Sequence, residues 1–254
     1  MHHQSAEYKY YASHLTPKNI EESAKSVDLN EWARLLRVDE LFAAGGRYGI
    51  VSEYFKVNSR VEKLLEIGCG SGVSVAWMQQ FADQCYGVDI YLSPQLRKDR
   101  IDACRFLEFN ANDEFPIESG SFDAVVAMMV MEHVFDPFHF CQEVSRILRP
   151  SGTLFINIPL ISALGHRLTL LTGRLPVTSR VDWFESRAWD GAHLHYFTLP
   201  LLQQLLELYG FELELVKGVG KYHRLKTRFP TLFAKEISLM AKKRELYKVG
   251  PCNG

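Results

Sequence analysis

The stretch that most constrains this chain is Leu64-Leu65-Glu66-Ile67-Gly68-Cys69-Gly70-Ser71-Gly72. An apolar run carrying one acid leads into three glycines at alternate positions. Glycine takes positive φ freely and lets another molecule approach the backbone closely, so the pattern predicts a strand, a tight turn and then a helix. The helix expected over Val73 to about Phe81 offers unpaired N–H groups and a positive dipole end. Together these predict the nucleotide end of a cofactor site.

From residue 62 onward the periodicity alternates. Strands are expected at Lys63–Ile67, Gln84–Ile90, Cys104–Phe109, Phe122–Met131, Thr153–Ile158, Phe211–Val216 and Ala234–Met240. Helices are expected at Val73–Phe81, Pro137–Leu148 and Leu199–Tyr209, with a helix or turn over Pro94–Ile101. The long apolar run Phe122–Met131 suits a strand covered on both faces. The alternation implies an α/β fold: a doubly wound, mostly parallel seven-stranded sheet with helices on both faces, its last strand antiparallel. Ligands then bind at the carboxyl ends of the strands. Ahead of the sheet, residues 29–56 read as helical, with Trp32, Leu35, Leu36, Val38, Leu41 and Phe42 near 3.6 spacing and a break at Gly45-Gly46. Residues 1–28 are polar and tyrosine-rich, an arm or lid. The division expected is 1–56 for arm and helices and 57–250 for the main domain. Residues 160–192, too long for an ordinary connection, read as an inserted cap. Lys242–Gly254 reads as a polar tail.

Composition excludes several classes. Basic residues number 29 and acidic ones 30, which gives no charge-driven nucleic-acid surface. The five cysteines have no CxxC spacing, so reduced thiols in a cytoplasmic setting are expected rather than disulfides or a zinc site. The opening Met1-His2-His3-Gln4-Ser5 has no apolar stretch, so no secretory leader is expected, and no 18-residue apolar run predicts a membrane span.

The glycine spacing separates cofactor classes. Dinucleotide folds use G-x-G-x-x-G, whereas here glycine falls at 68, 70 and 72 and Val at 73. Glu66 would repel a pyrophosphate and suits an ammonium group. Asp89, at the end of the second expected strand, is placed to accept hydrogen bonds from ribose hydroxyls.

LLEIGCGSG and GVDIY, with Asn110–Asp123, Met131-Glu132-His133-Val134, EVSRILRPSGTLFIN (143–157) and the H-x-x-x-F-T…GF segment from His193 to Phe211, resemble the class I S-adenosylmethionine-dependent methyltransferases. The resemblance covers roughly residues 60–215. It implies S-adenosylmethionine as cofactor, with S-adenosylhomocysteine as product. It places the backbone of Gly68, Cys69, Gly70 and Gly72 against the cofactor and Glu66 near its amino end. Asp89 is implied on the ribose, Ile90 against the adenine, Asn110, Ala111 and Asn112 at the adenine edge, and Met128 and Met129 along the methionine part. Many relatives have Asp where this chain has Asn110.

Methyl transfer needs alignment, a deprotonated nucleophile and exclusion of water. Candidate catalytic groups are Glu132 and His133 past the fourth strand and His193 and His195 past the insertion. No metal is expected: related catechol and RNA-end enzymes carry E-x-x-E-H, where this chain has Met129 in the first acidic position, and His193-x-His195 has no evident third ligand. The expected reaction is methyl transfer to an O or N atom of a small or medium-sized acceptor such as a sugar, a lipid-linked glycan or another metabolite. A methyltransferase-like module that binds cofactor without turnover, or an NAD(P)-dependent oxidoreductase, is the alternative. Oligomeric state is left open.

Overall fold

A computed structural model describes residues 37–92, 96, 104–179 and 189–244. Two short helices, α1 (Val38–Phe42) and α2 (Gly49–Val57), precede β1 (Val61–Ile67), α3 (Val73–Met78), β2 (Ala82–Asp89), β3 (Cys104–Glu108) and β4 (Phe122–Met128). Then come α4 (Pro137–Ile147), β5 (Leu148–Pro159), α5 (Leu164–Leu171), α6 (Leu199–Leu208), β6 (Phe211–Gly218), α7 (His223–Arg228), α8 (Pro230–Phe233) and β7 (Glu236–Lys243).

The strands form one seven-stranded sheet in the order β3-β2-β1-β4-β5-β7-β6. β1 to β5 are parallel neighbours, and β7 runs antiparallel to both β5 and β6. Strand order reverses between β1 and β4, so the crevice for a ligand opens at their carboxyl ends. Both strands are covered on both faces: Leu64, Leu65 and residues 124–127 are fully buried. One apolar core gathers α4 and α6 on one face (Phe140, Val144, Ile147, Leu202, Leu206), and a second gathers α1, α2 and α3 on the other (Phe42, Ile50, Val51, Val75, Met78). The expected doubly wound architecture is therefore present.

Local chemistry sets the elements that matter. The Asp136 carboxylate accepts from the Phe138 and His139 amides at 2.9 and 3.2 Å, and Pro137 stands at the first helical position, so α4 starts there. Gly45-Gly46 separates α1 from α2 as expected, and Phe42 stacks on Tyr48 and Trp77 with ring centroids 4.6 and 3.9 Å apart.

Two expectations need correction. β4 stops at Met128, not Met131, because Met129 turns into the left-handed region at φ 58°. The polar tail does not begin at Lys242: Lys242 and Lys243 complete β7. The Lys242 ammonium donates to Thr153 Oγ1 (2.6 Å), and that of Lys243 to the Ser145 and Leu148 carbonyls (2.6 and 2.7 Å). Long lysine stems can cover a strand while their heads find acceptors, and a hydropathy pattern does not register this. The helices α7 and α8 fill a stretch for which the sequence predicts no element. The arm at 1–28, Trp32, Leu35 and Leu36, most of the turn at Pro94–Ile101 and the centre of the cap lie outside the described residues.

Candidate functional site

The carboxyl ends of β1 and β4 carry two buried glutamates, and the site is built around them. Glu66, six residues into β1, is fully buried between Val126 and Gly87 of the neighbouring strands. Its Oε1 accepts from the Tyr48 hydroxyl and its Oε2 from Ser74 Oγ at 2.6 Å. Tyr48 stands at the start of α2 and Ser74 in the first turn of α3, so the elements before and after β1 in the chain, both on one face of the sheet, close on the carboxylate. Burial pushes the Glu66 carboxyl up to about 7, against the pull of the two hydroxyls.

The glycine turn divides into different tasks. A Cβ on Gly68 would lie 2.5 Å from Val130 Cγ2, and one on Gly72 would lie 2.8 Å from the Phe106 ring. These two glycines, both at positive φ, let the turn pack against the segment that follows β4 and against β3. A Cβ on Gly70 would meet nothing within 4 Å, so open space lies before the middle of the turn. Asp89 Oδ2 accepts from the Gly70 amide at 2.8 Å. Burial raises the Asp89 carboxyl, while the Gly70, Tyr91 and Ile90 amides pull it down. Cys69 is buried between the glycines, and its thiol is pushed up by burial. Ile90 and Ala111 are half-buried. Asn110 Oδ1 accepts from the Asn112 amide (3.0 Å) and Nδ2 (2.9 Å), and Asn112 Oδ1 accepts from the Phe135 amide at 2.6 Å. That loop is thus tied to the segment following Glu132-His133. Met128 is buried, and the Met129 amide donates to the Asn157 carbonyl at 3.0 Å.

The second glutamate, Glu132, is also fully buried, yet neither carboxylate oxygen has a hydrogen-bond partner among the described residues. Burial drives its carboxyl up to about 8, although its own backbone amide and, after it, the Arg47 guanidinium pull the other way. Burying such a group unpaired costs several kcal/mol by order of magnitude, so it is held for a reason other than stability. Glu132, His133 and His193 each bring a ligand-type atom within 4.8 Å of the others, and the two imidazoles meet edge to face at 4.8 Å. Burial, then His193, depresses His133 to about 4, and burial lowers His193 as well.

A strained turn delivers the second imidazole. Asp190, Gly191 and Ala192 all have positive φ, at 44°, 66° and 65°, and such backbone persists where its surroundings hold it. Here the Glu132 carbonyl accepts from the Leu194 amide at 2.7 Å. The buried Asp190 carboxylate accepts from Thr178 Oγ1 (2.6 Å) and from the Thr178 and Ser179 amides. Thr178 Oγ1 in turn lies 2.7 Å from His193 Nδ1, and His133 Nδ1 lies 3.1 Å from the Ala192 carbonyl.

Of the four candidates for chemistry, three come together and one does not. His195 is half-buried, and its Nε2 lies 3.2 Å from the Phe135 carbonyl. The sequence shows no third ligand beside His193 and His195; in the structure Glu132 and His133, some 60 residues earlier in the chain, each bring a ligand-type atom within 4.8 Å of His193. Sequence reasoning missed Tyr48, Ser74, Thr178 and Asp190. Only Ser74 left a signal, a lone hydroxyl on the otherwise apolar helix VSVAWM.

Residues 40–216 match the family model described as "Methyltransferase domain". A probable S-adenosylmethionine-dependent methyltransferase of Mycolicibacterium smegmatis is 29% identical over 160 residues, 61% of this chain and 54% of that protein. A ubiquinone biosynthesis O-methyltransferase of Xanthomonas campestris is 32% identical over 104 residues, 37% and 42% of the two. The chain thus spans about half the length of these curated relatives. Among solved structures, a methyltransferase from Thermotoga maritima superposes with a TM-score of 0.57 at 18% identity, over 89% of this chain and 98% of that one. The cyclase SpnF superposes at 0.53 with 16% identity, over 77% and 80%. These likenesses concern the fold.

Proposed function

The chain belongs to the S-adenosylmethionine-dependent methyltransferase family, and we propose that it moves a methyl group from that donor to an oxygen or nitrogen of a small or medium-sized acceptor. The observation that carries this reading is the contact of Val130 with Gly68. It sets the turn bearing Glu132 and His133 directly against the glycine turn, so donor and acceptor would meet between them.

The residues present fit the donor. Gly70 leaves room before the turn where a side chain would intrude. Asp89 already meets the Gly70, Ile90 and Tyr91 amides and keeps acceptor capacity for a ribose hydroxyl beyond them. Glu66 has two oxygens already aimed by Tyr48 and Ser74, with lone pairs remaining for an ammonium group. When bound, S-adenosylmethionine supplies a methyl carbon on a sulfonium, an activated leaving group. The chain's task is to align the acceptor with it and to exclude water.

The surface beside the site bears on the acceptor. Residues 160–179 and 219–235 together contain seven Lys and Arg and no acid, and Arg167 ties the two regions through the Thr231 carbonyl at 3.3 Å. Leu168, Leu171, Tyr222 and Phe229 are exposed on them. A basic, apolar rim favours an acceptor with an anionic group and a lipid portion, such as a lipid-linked glycan, over a free metabolite.

Thermal unfolding tests the donor reading. S-adenosylhomocysteine at 100 times its Kd is expected to add about 2.7 kcal/mol of stability, and NADH nothing; a shift with NADH alone would overturn it. A labelled-methyl screen against lipid-extracted and water-soluble pools then tests the acceptor. Label recovered only in the water-soluble pool would exclude the lipid portion.

A further inference from the structure

We propose that Glu132, His133 and His193 form a two-histidine, one-carboxylate site for a divalent transition metal that would hold the acceptor oxygen. The inference rests on the methyl-transfer reading and deepens it, and it departs from the expectation of no metal drawn from the missing carboxylate at Met129.

Three observations converge. The first is the orphaned carboxylate: both oxygens of Glu132 are buried with no hydrogen-bond partner among the described residues. A group built only for structure would have been given donors, as Glu66 was. The second is reach. Each of the three side chains offers one ligand atom, and all lie within 4.8 Å of one another. Ligands held about 2.1 Å from one cation in tetrahedral geometry stand about 3.4 Å apart, so small side-chain rotations close the set.

The third observation is the tautomer of each imidazole. Thr178 Oγ1 gives its proton to Asp190 Oδ2 and must accept from His193 Nδ1, 2.7 Å away. His133 Nδ1 faces the Ala192 carbonyl at 3.1 Å, which only accepts. Both Nδ1 atoms therefore carry the proton, and both lone pairs sit on Nε2. This outer arrangement, with a ligating histidine held by a carboxylate or a carbonyl, is the one that orients metal-binding imidazoles. Two nitrogens and one oxygen favour a zinc-, manganese-, cobalt- or iron-class ion over magnesium, which prefers oxygen alone. Three protein ligands leave positions open for substrate.

Coordination lowers the pKa of a bound hydroxyl. The acceptor O–H bond breaks and its proton passes to solvent. The oxygen lone pair forms the new C–O bond at the donor methyl, while the S–CH₃ bond breaks and its electron pair stays on sulfur, leaving S-adenosylhomocysteine. This chemistry selects an oxygen acceptor over a nitrogen one.

Co²⁺ is the probe. Chelator-treated protein is titrated with Co²⁺, with binding read by the visible absorption of the bound ion. One equivalent is expected to bind, and Glu132→Gln and His193→Ala are each expected to weaken it roughly a hundredfold or more. Thr178→Val keeps all three ligands but frees the His193 tautomer, and is expected to weaken binding roughly 10- to 100-fold. His139→Ala, outside the cluster, is expected to leave it unchanged. Because His2 and His3 can also bind metal, the differences between variants carry the result. No Co²⁺ absorption by the wild-type chain, or equal affinity in Glu132→Gln and His193→Ala, overturns the site. S-adenosylhomocysteine thermal shifts, run on every variant, report the donor site separately. A shift without Co²⁺ binding sinks the metal and spares the donor reading, and Co²⁺ binding without a shift does the reverse. Should a ligand variant lose that shift through misfolding, Thr178→Val decides, and wild-type affinity in it overturns the proposal.

Discussion

Two glutamates lie buried at the ends of adjacent strands, both with no exposed surface, and their surroundings are opposite. Glu66 has each oxygen taken by a hydroxyl, from Tyr48 and from Ser74. Glu132 has neither oxygen taken among the described residues. The half of the crevice proposed for the donor is therefore finished by the chain itself, while the half proposed for the acceptor is left chemically open. The same contrast runs through the backbone. On the donor side the left-handed residues of the turn are glycines, which bear positive φ at little cost. On the acceptor side Met129, Asp190 and Ala192 bear it as ordinary residues, at about 1–3 kcal/mol each.

Removing each carboxylate is the strongest way to break this comparison, because the two effects should have opposite sign. Glu66→Leu leaves the buried Tyr48 hydroxyl and the half-buried Ser74 hydroxyl unpaired and is expected to destabilise the fold by about 2–5 kcal/mol, read by urea unfolding. Glu132→Leu removes an unpaired buried carboxyl and is expected to stabilise the metal-free protein by about 1–3 kcal/mol. Destabilisation by both would mean that Glu132 has a partner.

The pH dependence of Glu66 sharpens the contrast. Its folded-state value is raised from 4.5 to about 7, so the folded chain holds the proton longer than the unfolded one. The stabilisation is fully present below about pH 4.5 and is lost as pH rises to about 7, a fall of about 3 kcal/mol from this group. Glu66→Gln should flatten that fall between pH 5 and 7. An ammonium group beside Glu66 favours the ionised form, so S-adenosylhomocysteine binding should tighten over the same window, by up to about tenfold per pH unit, and level off above about pH 7. Calorimetric titration at pH 5.5, 6.5 and 7.5 checks it; affinity independent of pH would remove Glu66 from the amino end of the donor.

A smaller effect is expected at Asp89. Asp89→Ala should weaken S-adenosylhomocysteine binding by about 1–3 kcal/mol, since it removes charge-assisted acceptors for the ribose. Smallest of all, His195→Ala should change the apparent Co²⁺ affinity less than twofold, because its imidazole stands apart from the cluster at the Phe135 carbonyl. A larger loss would redraw the acceptor side.

Much of the donor half was legible as sequence. Gly68, Gly70 and Gly72 announce a turn, and the strands on either side show their own periodicity. The seven-strand alternation follows from residues near one another in the chain, and so does the placing of Glu66 and Asp89 at strand ends. Local backbone preference and hydropathy carry that information. The order β3-β2-β1-β4-β5-β7-β6 then puts the glycine turn and the Glu132 turn side by side.

What no local pattern contains is which polar groups meet across the fold. His193 joins Glu132 and His133 only because three consecutive left-handed residues fold the chain back over β4. Thr178, 15 residues earlier in the chain, sets its tautomer. Tyr48 reaches Glu66 because α2 packs against the first strand. In sequence Thr178 and Tyr48 are ordinary polar residues in ordinary stretches, and His193 is a candidate with no visible third ligand. The architecture and the glycine turn are written in short-range spacing and so follow from the chain alone. That one buried carboxylate is satisfied and the other left open depends on directions and distances between side chains far apart in the chain, which only folding brings about.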